Sequence, residues 1–176
     1  MNGDFVMPPS TCRSLVVAAA LLALAAPAFA GSATNPADPR APVAALYAAE
    51  KSGRPTLVTP AQRAAALTRG LAALWDKAEA RARSNGEVAI DFDVVSNSQG
   101  ATVKFYALTI ERRDAKTATV VATIDPGDWL RRSPRENKIR YTLARQAGRW
   151  RIDDVSGVVE PKAWSLRVAL ARALEP

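Results

Sequence analysis

The stretch NKIRYTLARQAGRWRIDDV, Asn137 to Val155, decides how this chain is read. Ile139, Tyr141 and Leu143 alternate with Lys138, Arg140 and Thr142. Beyond Ala147-Gly148, Trp150 and Ile152 alternate with Arg149 and Arg151. Successive strand residues point to opposite faces, so this period of two predicts strands over Asn137–Gln146 and Arg149–Val155, each with one apolar face. A link of only two residues predicts a tight hairpin, which would set Leu143 opposite Ile152 and Tyr141 opposite Asp154.

Working upstream, Lys116–Asp125 alternates Ala118, Val120, Ala122 and Ile124 against threonines, and Asp114-Ala115 is short enough to be a hairpin link. Thr102–Arg113 reads as a long strand whose apolar parity slips. Val103 and Phe105 are odd, whereas Tyr106, Leu108 and Ile110 are even, a pattern that predicts a bulge or sharp bend. Val88, Ile90, Phe92 and Val94 predict one more strand, with Asp91 and Asp93 on its other face.

Before Asn85-Gly86 the period is helical. Thr59-Pro60 is a start signal, and Leu67, Leu71, Leu74, Trp75, Ala78 and Ala82 recur at helical spacing through Ser84. Gly70 weakens the middle, and Thr68 could cap a fresh start at Arg69, so one bent helix and two short ones both fit. Ala41–Ser52 and Trp164–Leu174 also read as helices. Helices, then consecutive strands, then a closing C-terminal helix predict an α+β domain, with the N-terminal helices packed on one face of an antiparallel sheet.

The chain has 176 residues, a length suited to one domain, with a net charge of +7, one cysteine and no histidine. These counts exclude a Ser-His-Asp triad, histidine-based metal or haem ligation and a disulfide framework. No phosphate-binding glycine loop is legible. Asp91 and Asp93, about 7 Å apart, could act as a glycosidase-like pair or share Ca²⁺ or Mg²⁺. They fall on the face opposite Phe92, where a solvated or capping role is expected, so no cofactor is expected. No nucleic-acid motif accompanies the positive charge.

Leu15 to Ala26 is an apolar run preceded by Arg13 and followed by Ala28-Phe29-Ala30. It is too short to span a bilayer, and it predicts a signal peptide over residues 1–30, cleaved after Ala30. Translation could begin at Met1 or Met7. The expected product is exported, periplasmic or extracellular, without a membrane anchor, and Cys12 leaves with the signal. Residues 31–40 read as a flexible lead-in and 41–176 as the single domain.

The element order, with Leu74-Trp75, Asp91-Phe92-Asp93, Gln99, Trp150-Arg151-Ile152-Asp153-Asp154 and Ser165-Leu166-Arg167, resembles the nuclear transport factor 2-like superfamily. Within it, the chain resembles the bacterial family called domain of unknown function 3828, over residues 42 to 174. Where that family tends to have proline and aspartate, this chain has Val94 and Gly100. The resemblance implies a curved, cone-like sheet, often with a pocket between helices and sheet. It implies no known activity and no assigned catalytic residue.

Two candidate sites follow from strand parity. Asp154 beside Tyr141 would be a carboxylate and a phenol at the mouth of an apolar pocket, able to move a proton or anchor a ligand. The competing reading has Asp154 at a strand end, bonding backbone amides or an arginine. Lys138, Arg140, Arg149 and Arg151 would share the outer sheet face, a surface for an acidic partner or simply a solvated one. Directly opposed like charges there would disfavour a sheet-to-sheet dimer, so a monomer is expected. Trp129, in a loop with Arg131, Arg132 and Arg135, could cover a pocket or touch a partner. Trp75, Trp150 and Trp164 fall on apolar stripes and read as core.

The leading functional reading is a non-catalytic module for a small apolar ligand or a partner segment. Its rivals are an isomerase, dehydratase or hydrolase using Asp154 and Tyr141, and an interaction or inhibitory protein using the basic face.

Overall fold

The computed structural model describes residues 37–99, 103–125 and 133–175. Three helices come first: α1 (Arg40–Lys51), α2 (Pro60–Ala66) and α3 (Arg69–Ser84). Five strands follow: β1 (Phe105–Arg113), β2 (Thr117–Asp125), β3 (Lys138–Gln146), β4 (Arg149–Val159) and β5 (Lys162–Ser165). Helix α4 (Leu166–Arg172) comes last. The sheet runs β1-β2-β3-β4-β5 with every neighbour antiparallel, and the class is α+β.

Local chemistry explains the helical boundaries. The Thr59 hydroxyl accepts the Gln62 amide while the Gln62 side chain accepts the Thr59 amide, a reciprocal cap just before Pro60. Leu67 is extended and ends α2, and the Thr68 hydroxyl accepts the Leu71 amide to begin α3. The segment is therefore two helices. Leu67 uses the break to bridge Ile152, and the Thr68 amide donates to the Ile152 carbonyl at 2.8 Å, covering that part of the β4 edge. Helix α1 begins at Arg40, inside the expected lead-in, because the Asp38 carboxylate accepts the Arg40 amide and pairs with its guanidinium.

The core is the inner sheet face under these helices. Val120, Ala122, Ile139, Tyr141, Leu143, Ile152 and Val155 are fully buried, as are Val43, Tyr47, Leu71 and Ala78 from the helices. Each large aliphatic side chain so placed contributes about 1.5–3 kcal/mol. The alternation expected in β2 and β3 holds: Ala118 to Ile124 and Ile139 to Leu143 are the buried sets. Ala147 (φ 48°) and Gly148 (φ 75°) both take the left-handed conformation that a two-residue hairpin requires, and Leu143 faces Ile152 as expected.

Four expectations are corrected. Val88–Val94 is not a strand: the Asp93 carboxylate accepts the Val95 amide and the Ser96 hydroxyl, folding a turn closed by a lone Asp93–Ser98 bridge. Val88 is left exposed while Val94 and Val95 are buried. The first long strand begins at Phe105, whose ring is exposed, while Val103 is buried just ahead of the strand. The bulge in that strand lies further on, between Ile110 and Arg112. Finally, β4 continues to Val159 and pairs with β5, so the last helix starts at Leu166, where Ser165 caps it.

Candidate functional site

Tyr141 projects from β3 into the core. Its hydroxyl donates to the Tyr47 hydroxyl at 3.0 Å, and Tyr47 in turn donates to the Val95 carbonyl at 3.0 Å. The Tyr47 ring stacks on Tyr106 with centroids 4.6 Å apart. Burial pushes both phenols well above their ordinary range and keeps them neutral. Tyr47 lies 94 residues away on α1, so no local pattern identifies it as the partner.

Asp154 is not beside Tyr141. The ladder slips between Thr142 and Leu143, so that Leu143 faces Ile152, Thr142 faces Asp154 and Tyr141 faces Val155. Asp153 is the extra residue of a β-bulge, which the even alternation of the sequence does not reveal. Both carboxylates thus leave the core face. Asp154 accepts the Arg167 amide at 3.0 Å, the Val155 amide at 2.9 Å and the Ser165 hydroxyl at 2.7 Å, anchoring the start of α4. Asp153 accepts the Thr68 hydroxyl at 2.7 Å and pairs with Arg167 at 2.6 Å. The carboxylate–phenol pair expected from parity is not formed.

Other acids are also engaged. Asp93 closes its own turn, and Glu50 on α1 is half-buried, its carboxyl raised by burial and by the Asp93 charge. Arg63 is a buried guanidinium satisfied by Asp76 at 2.7 Å and by the Leu57 and Val58 carbonyls, and it lies over the Trp75 ring. Among the described residues no group of three or more metal-ligating side chains converges. No described helix is long and apolar enough to cross a membrane.

The basic face divides. Register keeps Arg140, Arg149 and Arg151 on the outer face, but Arg140 faces Ser156 while Arg151 faces Ala144. Four strand residues, about 13 Å, separate those positions. No arginine of β3 is therefore directly opposite an arginine of β4. Arg140 is paired with Glu111 at 2.8 Å, which holds the Glu111 carboxyl below its usual range. With Lys138, Arg135 and Trp164 it lines a cleft of about 370 Å³. Trp164 is only half-buried and donates to Asn97 at 2.8 Å.

The other end has as many cations, all of them arginines. Arg69 at the start of α3 meets Arg149 and Arg151 around a cleft of about 500 Å³ whose remaining walls are Ala64, Leu67, Gln146 and Ala147. The Gln146 side chain accepts the Arg69 amide at 3.2 Å and fixes the hairpin against α3. Among the described residues none of these three arginines forms an ion pair. Among the described residues no carboxylate lines the cleft. Arg69 is brought to the expected Arg149 and Arg151 by the Leu67–Ile152 bridge and the Gln146 bond, long-range contacts that no local sequence signal announces. Trp129, Arg131 and Arg132 lie outside the described residues. In comparisons with protein-family models, curated proteins and solved structures, nothing matches this chain.

Proposed function

We propose that this chain is an exported, non-catalytic binding module, and that it takes an anionic partner in the cleft of Arg69, Arg149 and Arg151. The observation that carries this reading is that three arginines line one cleft and, among the described residues, no carboxylate lines it with them. Clustered cations without internal partners repel one another, and an anion relieves that repulsion through charge-assisted, often bidentate hydrogen bonds. The phenol of Tyr141 serves the core, and Asp154 serves α4. The finer fold reading, a nuclear transport factor 2-like cone, and cleavage after Ala30 belong to the same proposal. The antiparallel order and the helices preceding the sheet support the first.

The test is fluorescence anisotropy with a labelled oligoglutamate peptide on the full chain. Binding should weaken as salt rises, because exposed charges are screened over about 8 Å at physiological ionic strength. Arg149→Ala with Arg151→Ala should cost about tenfold in affinity, roughly 1.4 kcal/mol. Arg140→Ala, which removes a cation already paired with Glu111, should change affinity less than about twofold. Equal losses at both places would reduce the reading to nonspecific charge, and absence of binding at low salt would end it.

A further inference from the structure

The arginine cleft does not end at its own walls. A second cleft, of about 400 Å³, shares Arg149 and Arg151 with it and runs past Trp150 to Ala41, Pro42, Ala45 and Ala65. A third, of about 250 Å³, shares Pro42, Ala45 and Ala65 with the second and lies between α1 and α2. Leu46, Leu57 and Ala66 line this last groove, with only Thr56 and Gln62 offering polar side chains. The surface therefore passes without a break from guanidiniums to aliphatic carbon.

The apolar end is a firmly built wall. Leu57 is buried at φ 59°, a left-handed conformation that a branched side chain adopts only under constraint. Its carbonyl accepts the buried Arg63 guanidinium, itself held by Asp76. Alanines at 45, 49, 65 and 66 leave the groove open beside it. Between Pro42 and Ala49 the groove follows about 10 Å of helix axis, the reach of about three residues of extended chain.

We infer that the partner is a peptide segment carrying carboxylates next to an aliphatic side chain. The carboxylates would sit on Arg149 and Arg151, and the aliphatic group in the α1–α2 groove. The proposal rests on the arginine-cleft reading above and adds the apolar half. Charge complementarity selects an acidic segment over a basic one. A run of adjoining open clefts suits an extended chain, whereas small-molecule sites surround most of their ligand in one concavity.

The experiment compares three probes on the full chain: labelled oligoglutamate, an equally long peptide with a central Leu-Leu pair, and vesicles of phosphatidylglycerol and phosphatidylcholine. The Leu-bearing peptide should bind about tenfold more tightly than oligoglutamate, the gain from burying one aliphatic side chain. Ala49→Glu, at a half-buried position on α1 that lines the apolar groove but neither arginine-bearing cleft, should abolish that gain and leave oligoglutamate binding in place. Thr56→Glu, which also lines only the apolar groove, is the independent second block, and urea unfolding confirms that each variant folds. If both peptides bind equally, the apolar half is wrong and the arginine cleft stands. If neither binds, both readings fall. If vesicles bind through Arg149 and Arg151 while the peptides do not, the partner is a lipid surface and the peptide assignment is overturned.

Discussion

The two core tyrosines should differ sharply in what they contribute, because the hydrogen-bond chain between them has a direction. Tyr141 donates to Tyr47, and Tyr47 donates to the Val95 carbonyl. In Tyr141→Phe, the Tyr47 hydroxyl keeps its acceptor, and one net hydrogen bond is lost, about 1 kcal/mol. In Tyr47→Phe, the Tyr141 hydroxyl loses its acceptor and the Val95 carbonyl loses its donor, both within the core. Each orphaned group costs about 1–3 kcal/mol, so the total should be about 2–4 kcal/mol after the gain of a less polar ring. Urea unfolding followed by tryptophan fluorescence reads the difference directly. Raising the pH adds a second readout. Both phenols have folded-state pKa values above those of the unfolded chain. Their contribution is therefore complete below about pH 10 and falls above it, as the unfolded chain releases protons that the folded one keeps. Either replacement should flatten that alkaline decline. A Tyr141→Phe loss as large as that of Tyr47→Phe would refute the assigned direction of the chain.

Three further outcomes are expected. Asp154→Ala should lose about 2–3 kcal/mol in urea unfolding, since three donors at the start of α4 lose their acceptor; a change under about 0.5 kcal/mol would remove Asp154 from that role. Gly157→Ala should destabilise by about 1–3 kcal/mol, because a Cβ would lie 2.8 Å from the Trp164 ring, and a neutral melting temperature would show that the indole yields freely. The Asp114 carboxyl should titrate at about 2, held down first by the Thr117 hydroxyl and then by the Thr117 and Lys116 amides. NMR titration of Thr117→Ala should move it upward, and an unmoved midpoint would discount the hydroxyl.

The sheet was legible where alternation is clean and the turn dictates register. Ala118 to Ile124 and Ile139 to Leu143 carry their burial in their spacing, and Ala147-Gly148 places Leu143 against Ile152. The reading failed where side chains override the backbone pattern. Asp93 diverts an alternating segment into a turn by satisfying amides that a ladder would otherwise bind. At Asp153-Asp154 two adjacent identical residues conceal which of them is the insertion, and the expected site depended on that choice. Arg149 and Arg151 were visible as charges on one face. Arg69, Ala45 and Leu57 were not, because helices distant in sequence bring them to the same surface.

The bulge at Asp153 also bears on how this scaffold tolerates change at the level of the reading frame. Because Thr142 already faces Asp154 and Tyr141 already faces Val155, loss of the single codon for Asp153 would leave an unbroken ladder with the same core pattern. What would vanish is the carboxylate held jointly by Thr68, before α3, and Arg167, in α4. A one-residue deletion there would spare the sheet and remove one tie from each of two helices, leaving the Asp154 and Ile152 contacts to hold them, and so separate a change in cohesion between layers from a change in fold.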